Sequence, residues 1–176
     1  EPNLAREWGG QRPDPAGYVA LLKATYEAAK SIDPSIVVLS AGLTPTGVYN
    51  DQAMPDDEYL RQMYAAGAKG YFDALGAHAP GYKAPPELAF NPALGGHPSF
   101  AFRRVEQLRE IMVANGDADK QIWILEFGWT SDPIHPEYAW HRVSEEEKAE
   151  YILRAFRYAK ANWSPWIGVM TVWNLA

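Results

Sequence analysis

The sequence contains no cysteine, no long hydrophobic run and no cluster of basic residues. The lack of cysteine excludes disulfides, thiol nucleophiles and Cys-based zinc sites, although it does not fix the cellular compartment. No segment approaches the roughly 18 consecutive apolar residues of a membrane-spanning helix, so we expect no membrane partner. The net charge is -6 and no arginine or lysine stripe is present, which argues against a nucleic-acid partner.

The sequence also lacks the motifs of several enzyme classes. It has no Gly-x-Ser-x-Gly motif of serine hydrolases, no Gly-x-Gly-x-x-Gly motif and no P-loop. The four histidines have no metal-ligand spacing such as His-Glu-x-x-His. We therefore expect no nucleotide, no other cofactor and no metal.

The composition is that of a single globular domain. The 176 residues are 47% hydrophobic and 22% charged, so residues 1–176 are long enough to bury a sizeable core. Seven tryptophans and ten tyrosines are many for this length. Aromatic residues often belong to the core, but such a surplus also suits the binding of sugars, whose C–H groups pack against aromatic rings.

Apolar periodicity predicts helices that alternate with short buried strands. We predict helices starting at Asp14-Pro15, at Asp56 or Asp57, near Phe102 and at the capping box of residues 144–147, and strands at residues 36–41, 72–78, 122–127 and 167–173. This alternation indicates a parallel sheet with helical crossovers.

The longest connections, residues 42–55, 79–100 and 128–143, all follow predicted strands. Loops after the strands carry function in α/β barrels, whereas the return connections stay short. A flavodoxin-like open sheet would share the alternation, but it would not favour three long aromatic-rich loops in succession. The pattern therefore predicts an α/β barrel.

Two carboxylates fall at positions where such a fold places catalytic groups. Glu126 ends the apolar run of residues 122–125, and a charge buried there without a partner would be costly. A structural ion pair at the strand end is the alternative for Glu126. Glu1, followed by Pro2-Asn3 and by a helix start about a dozen residues later, fits the end of a strand that would precede it. Two carboxylates at strand ends are what a glycosidase requires.

Glu1-Pro2-Asn3 resembles the tail of the Asn-Glu-Pro motif of clan A glycoside hydrolases. The stretches at residues 18–22 and 63–74, and Glu126-Phe127-Gly128-Trp129, are similar to family 39 and cellulase-like members of that clan. The resemblance covers essentially the whole chain. It implies the second half of a (β/α)8 TIM barrel, with strands 5 to 8 and the N-terminal half of the barrel as a partner.

The resemblance also implies roles for individual residues. Glu1 would be the acid/base and Glu126 the nucleophile of a retaining mechanism. Trp173 would form the platform for the sugar, and His78 would bind the sugar or the nucleophile. Tyr82 and Trp129, in loops after strands, would line binding subsites, although each could instead pack its own loop.

The sequence therefore predicts a retaining glycoside hydrolase that acts on a poly- or oligosaccharide. The alternatives are a barrel hydrolase with another sugar specificity, a catalytically inactive sugar-binding protein and a half-barrel assembly protein. Because four strands alone would leave two open edges, we expect the chain by itself to be marginally stable, to aggregate or to pair with a second half.

Overall fold

The computed structural model describes residues 1–90 and 92–173, without the side chain of residue 93, and it shows helices packed on a parallel sheet. The helices are α1 (Pro15–Ile32), α2 (Asp56–Ala65), α3 (Val105–Ala114) and α4 (Glu145–Asn162), and the strands are β1 (Ala74–His78), β2 (Gln121–Phe127) and β3 (Ile167–Val172). Short 3-10 helices span Ala5–Glu7, Pro92–Leu94, Pro98–Phe100, Phe102–Arg104 and Pro136–His141. In this part of the chain, no helix combines the length and the hydropathy needed to cross a membrane.

The starts of α1 and α4 are set by side-chain caps, as the sequence predicts. The Asp14 carboxylate accepts a hydrogen bond of 3.0 Å from the Gly17 amide, and proline follows at the first position of α1. At α4, the Ser144 hydroxyl and the Glu147 carboxylate form a reciprocal capping box. Local hydrogen bonding therefore fixes where both of these 18-residue helices begin.

The three strands form one parallel sheet in the order β1-β2-β3. His78, the last residue of β1, lies opposite Glu126 near the end of β2, after an irregularity in the register. The carboxyl ends of these neighbouring strands therefore lie side by side. This register brings two of the predicted site residues together.

The predicted strand at residues 36–41 does not form, and the expected half of a (β/α)8 barrel with strands 5 to 8 is wrong. The described residues contain a three-stranded open sheet instead. Around the predicted strand, only two isolated parallel bridges are present, Leu39 to Ala74 and Leu43 to Ala77.

Side chains interrupt the hydrogen-bond ladder that a fourth strand would need. The Val38 amide donates to the Asp73 carboxylate at 2.7 Å, and the Ala41 amide donates to the Tyr18 hydroxyl at 2.6 Å. The Gly76 amide of β1 donates to the Ser40 hydroxyl at 3.0 Å rather than to a backbone carbonyl. The segment therefore runs beside β1 without pairing with it as a regular strand.

The core lies between the sheet and the helices. Leu75 of β1 and Ile122 and Ile124 of β2 are buried against Leu60 of α2 and Met112 of α3. In contrast, β3 is half-buried to exposed along its length. The sheet is therefore well covered at β1 and open at its β3 edge.

Candidate active site

Glu126 and His78 meet because β1 and β2 end at the same edge of the sheet. The Ala79 amide donates to the Glu126 carbonyl at 2.9 Å, which continues the strand pairing past His78. The carboxyl ends of parallel strands are where α/β folds place their ligand sites. Both side chains therefore lie at the edge of the sheet where α/β folds bind ligands.

Glu1 reaches this edge because Asn3 anchors the first residues of the chain. The buried Asn3 amide nitrogen donates to the carbonyls of Thr44 and Met54, at 2.8 and 2.9 Å. Its amide oxygen accepts from the Thr44 backbone at 3.0 Å. With its polar atoms satisfied by backbone partners, Asn3 fixes Glu1 against the loop after residue 43.

Glu1, His78 and Glu126 form one cluster. The His78 Nδ1 atom lies 2.9 Å from a Glu1 oxygen and 3.7 Å from a Glu126 oxygen. Potential ligand atoms of all three side chains lie within 4.8 Å of one another. The other ring nitrogen of His78 faces Gly42, where an added Cβ would lie only 2.2 Å away. Glycine at position 42 therefore leaves the room that the imidazole occupies.

The pKa of the Glu1 carboxyl is lowered to about 2. Burial is the largest influence and raises the pKa, but it is outweighed by the His78 hydrogen bond, the nearby Thr44 hydroxyl and the electrostatic effect of His78. Glu1 is consequently ionised at neutral pH.

The cluster lies in a cleft of about 690 Å³, a size that suits small-molecule ligands. All six residues singled out from the sequence line this cleft: Glu1, His78, Tyr82, Glu126, Trp129 and Trp173. A smaller cleft of about 380 Å³ adjoins it and shares Thr44, Pro45 and Tyr82. The structure therefore brings the predicted residues together in one cleft.

The three aromatic residues differ in how they face the cleft. Trp173 is 61% exposed, so its ring is available to a ligand. Trp129 is only 4% exposed, and its indole N–H donates to the Ala84 carbonyl at 2.8 Å, so most of its surface supports the wall. Tyr82 has a φ of 53°, unusual for a non-glycine residue, and it packs against Phe100 and Trp140.

The fold is similar to that of a glycoside hydrolase. The solved structure is a family 51 α-L-arabinofuranosidase from Bifidobacterium longum, with a TM-score of 0.61 and 11% sequence identity. The match covers 92% of this chain and 34% of the arabinofuranosidase, so the chain spans about a third of that enzyme's length. No protein-family model and no curated protein sequence matches the chain.

Several residues of this site do not stand out in the sequence. Gly42 matters only because His78, distant in the sequence, packs against it, so no local motif marks it. Asn3 belongs to the Glu1-Pro2-Asn3 stretch, but its anchoring role depends on Thr44 and Met54. The far wall of the cleft includes the hydrogen-bonded pair Asp132 and His135, together with Glu145. The sequence signal for this wall is that residues 128–143 form a long, aromatic-rich connection after a predicted strand.

Proposed function

We propose that this chain provides both catalytic carboxylates of a retaining glycoside hydrolase, with residues 1–176 as part of one catalytic domain. The observation that carries the proposal is the close approach of Glu1 and Glu126, whose oxygens lie within 4.8 Å at the head of the cleft. Catalytic carboxyl groups are about 5–5.5 Å apart in retaining glycosidases and about 6.5–9.5 Å apart in inverting ones. An approach of one oxygen of each carboxylate to within 4.8 Å supports the shorter, retaining arrangement.

In the proposed reaction, Glu126 attacks the anomeric carbon while the bond to the leaving oxygen breaks. Glu1 supplies the proton to that oxygen and then takes a proton from the water that releases the sugar from Glu126. Glu126 is the more exposed of the two carboxylates, which suits a group that must reach the sugar. His78 contacts Glu1 and lies near Glu126, so it would position both and could bind a sugar hydroxyl.

The proposed substrate is a glycan that fills the main cleft and extends into the smaller one. Exposed Trp173 would stack against the sugar next to the carboxylates, since aromatic faces bind the C–H side of sugar rings. Tyr82 stands where the two clefts meet and would contact a second sugar unit. Trp129 would shape the wall, with less direct contact because of its burial.

Two similarities support a glycosidase. One is the fold shared with a family 51 α-L-arabinofuranosidase, which makes a furanoside of arabinose a reasonable first substrate to assay. The other is the resemblance of Glu126-Phe127-Gly128-Trp129 to family 39 and cellulase-like enzymes. Because these suggest different sugars, a panel of nitrophenyl glycosides is the appropriate screen.

A sugar-binding protein without turnover is the second candidate, and the lowered pKa of Glu1 favours it. A general acid needs a pKa near the working pH, whereas that of Glu1 is about 2 in the ligand-free cleft. The hydrolase proposal therefore requires that sugar binding loosen the His78 hydrogen bond to Glu1. The binding-protein candidate requires no such change.

The decisive variant is Glu126→Gln, with Glu145→Gln as its matched control because Glu145 lines the same cleft. We expect Glu126→Gln to abolish nearly all turnover of any glycoside that the parent hydrolyses, while Glu145→Gln retains it. An activated 2-deoxy-2-fluoro glycoside should leave a covalent adduct on Glu126, detectable by mass spectrometry. Undiminished turnover by Glu126→Gln, or an inverted product seen by NMR, would remove Glu126 from the nucleophile role.

A further inference from the structure

The cluster of Glu1, His78 and Glu126 also offers the ligand atoms of a metal site. The imidazole Nδ1 of His78 lies between the two carboxylates, 2.9 Å from Glu1 and 3.7 Å from Glu126. The two carboxylate oxygens lie within 4.8 Å of each other. The three residues are far apart in the sequence, so no ligand spacing marks them as a metal site.

This set of one imidazole and two carboxylates fits Zn²⁺. Zinc takes histidine nitrogen and carboxylate oxygen at about 2.0–2.2 Å, so neighbouring ligand atoms of a tetrahedral site lie roughly 3.4 Å apart. The two separations measured from His78 fall on either side of that value. Mg²⁺ and Ca²⁺ prefer oxygen ligands alone and are less suited to a site centred on imidazole.

The surrounding residues hold these ligand atoms in place and leave a path by which a metal ion can reach them. The His78 side chain is about nine-tenths buried and packs against Gly42, so its Nδ1 atom is directed toward the carboxylates. Beside Glu1, the buried Thr44 hydroxyl has no hydrogen-bond partner among the described residues. Glu126 borders the cleft, from which an ion can enter and where water can complete its coordination.

We propose that Glu1, His78 and Glu126 bind a Zn²⁺ ion, with its fourth position facing the cleft. A bound ion occupies both carboxylates, so neither is free to attack or to transfer a proton. Zn²⁺ is therefore a reversible inhibitor of the hydrolysis. The inhibition rests on the proposed function, whereas the binding of zinc does not.

Calorimetric titration of the full chain with Zn²⁺ tests the site directly. We expect one ion per chain, and at least about a tenfold loss of affinity in His78→Ala and in Glu126→Gln. Glu126→Gln keeps the size of the side chain at a half-exposed position, so it tests the site even if His78→Ala fails to fold.

His135→Ala is the matched control, because it removes another cleft imidazole that sits beside a carboxylate. We expect this control to bind zinc as the parent does, and Mg²⁺ to show no comparable binding.

Turnover of the nitrophenyl glycosides with added Zn²⁺ and then EDTA separates the two proposals. Loss of turnover with zinc and its recovery with EDTA would support both. Zinc binding that depends on His78 and Glu126, without turnover under any condition, would support the site and defeat the hydrolase. Turnover with no zinc binding, or zinc affinity lost only in His135→Ala, would overturn the metal site and leave the hydrolase standing. Turnover that requires zinc would overturn the inhibitory role.

Discussion

At the scale of single residues, the lowered pKa of Glu1 conflicts with its proposed role as acid/base. Its folded pKa of about 2 lies below the ordinary value of 4.5, because the His78 hydrogen bond and nearby positive charge outweigh the effect of burial. A carboxyl with a lowered pKa stabilises the fold above its unfolded pKa. That contribution is lost as the pH falls through the folded pKa, so Glu1 should stabilise the protein most at neutral and weakly acidic pH.

We expect Glu1→Gln to reduce the free energy of unfolding by about 1–3 kcal/mol at about pH 6. The difference from the parent should shrink as the pH falls below about 4.5, since the unfolded Glu1 then becomes protonated. Urea unfolding from about pH 6 to about pH 3 measures this difference. Glu7→Gln is the control, because Glu7 pairs with exposed Arg6 at the surface. A pH-independent difference for Glu1→Gln would contradict the His78–Glu1 interaction.

The sequence predicts which residues meet at the site better than it predicts their surroundings. Glu126 and His78 could be placed together because both end predicted parallel strands, whose carboxyl ends share an edge. The burial of Trp129 could not be predicted, since it depends on the Ala84 carbonyl that its indole reaches across a loop. The pKa of Glu1 likewise depends on His78, 77 positions away.

At the scale of elements, helices with local caps and the three strands are predicted correctly, but the segment at residues 36–41 is not. Its continuous apolar run is typical of a buried strand. Only a few of its backbone groups bond to the backbone around β1, and two of its amides donate instead to the side chains of Tyr18 in α1 and Asp73 next to β1, which an apolar pattern does not reveal. Pairing through distant side chains is a tertiary effect that overrides local propensity.

A buried ion pair joins the start of α2 to the start of α3. Arg104 and Asp56 are both buried, and the guanidinium contacts the carboxylate at 2.6 Å and the neighbouring Asp57 at 2.7 Å. Burial, the largest influence, and the nearby Asp57 charge raise the pKa of Asp56 despite its contacts with Arg104. Removal of the arginine would leave Asp56 buried without its partner, which is costly.

We expect Arg104→Met to lower the free energy of unfolding by about 3–5 kcal/mol, measured by urea denaturation. Arg103→Met is the control at the adjacent position, because the Arg103–Glu106 pair is partly exposed and should contribute less. The double variant Asp56→Asn with Arg104→Met should recover part of the loss, since no charge is then left buried. Equal losses in Arg103→Met and Arg104→Met would contradict a special role for the buried pair.

At the scale of the whole molecule, the open edge of the sheet favours self-association of the chain in solution. In the described part of the chain, β3 pairs with β2 on one side and with no strand on the other. Val169 of β3 and Trp173 just after it are exposed, as are Leu153 and Phe156 of α4. An exposed apolar edge strand is a template for pairing with another chain. The chain should therefore associate as its concentration rises.

The test is Val169→Lys, because a lysine on an edge strand opposes strand pairing between molecules. Val48→Lys is a close control, since Val48 is 46% exposed in a loop and Val169 is 44% exposed on the edge. We expect size-exclusion chromatography with light scattering to show association of the parent and of Val48→Lys with rising concentration, and a shift toward monomer for Val169→Lys. A parent that stays monomeric at every concentration, with one sharp thermal transition, would contradict the expected association through the open edge of β3. Equal association of the two lysine variants would instead place the contact away from β3.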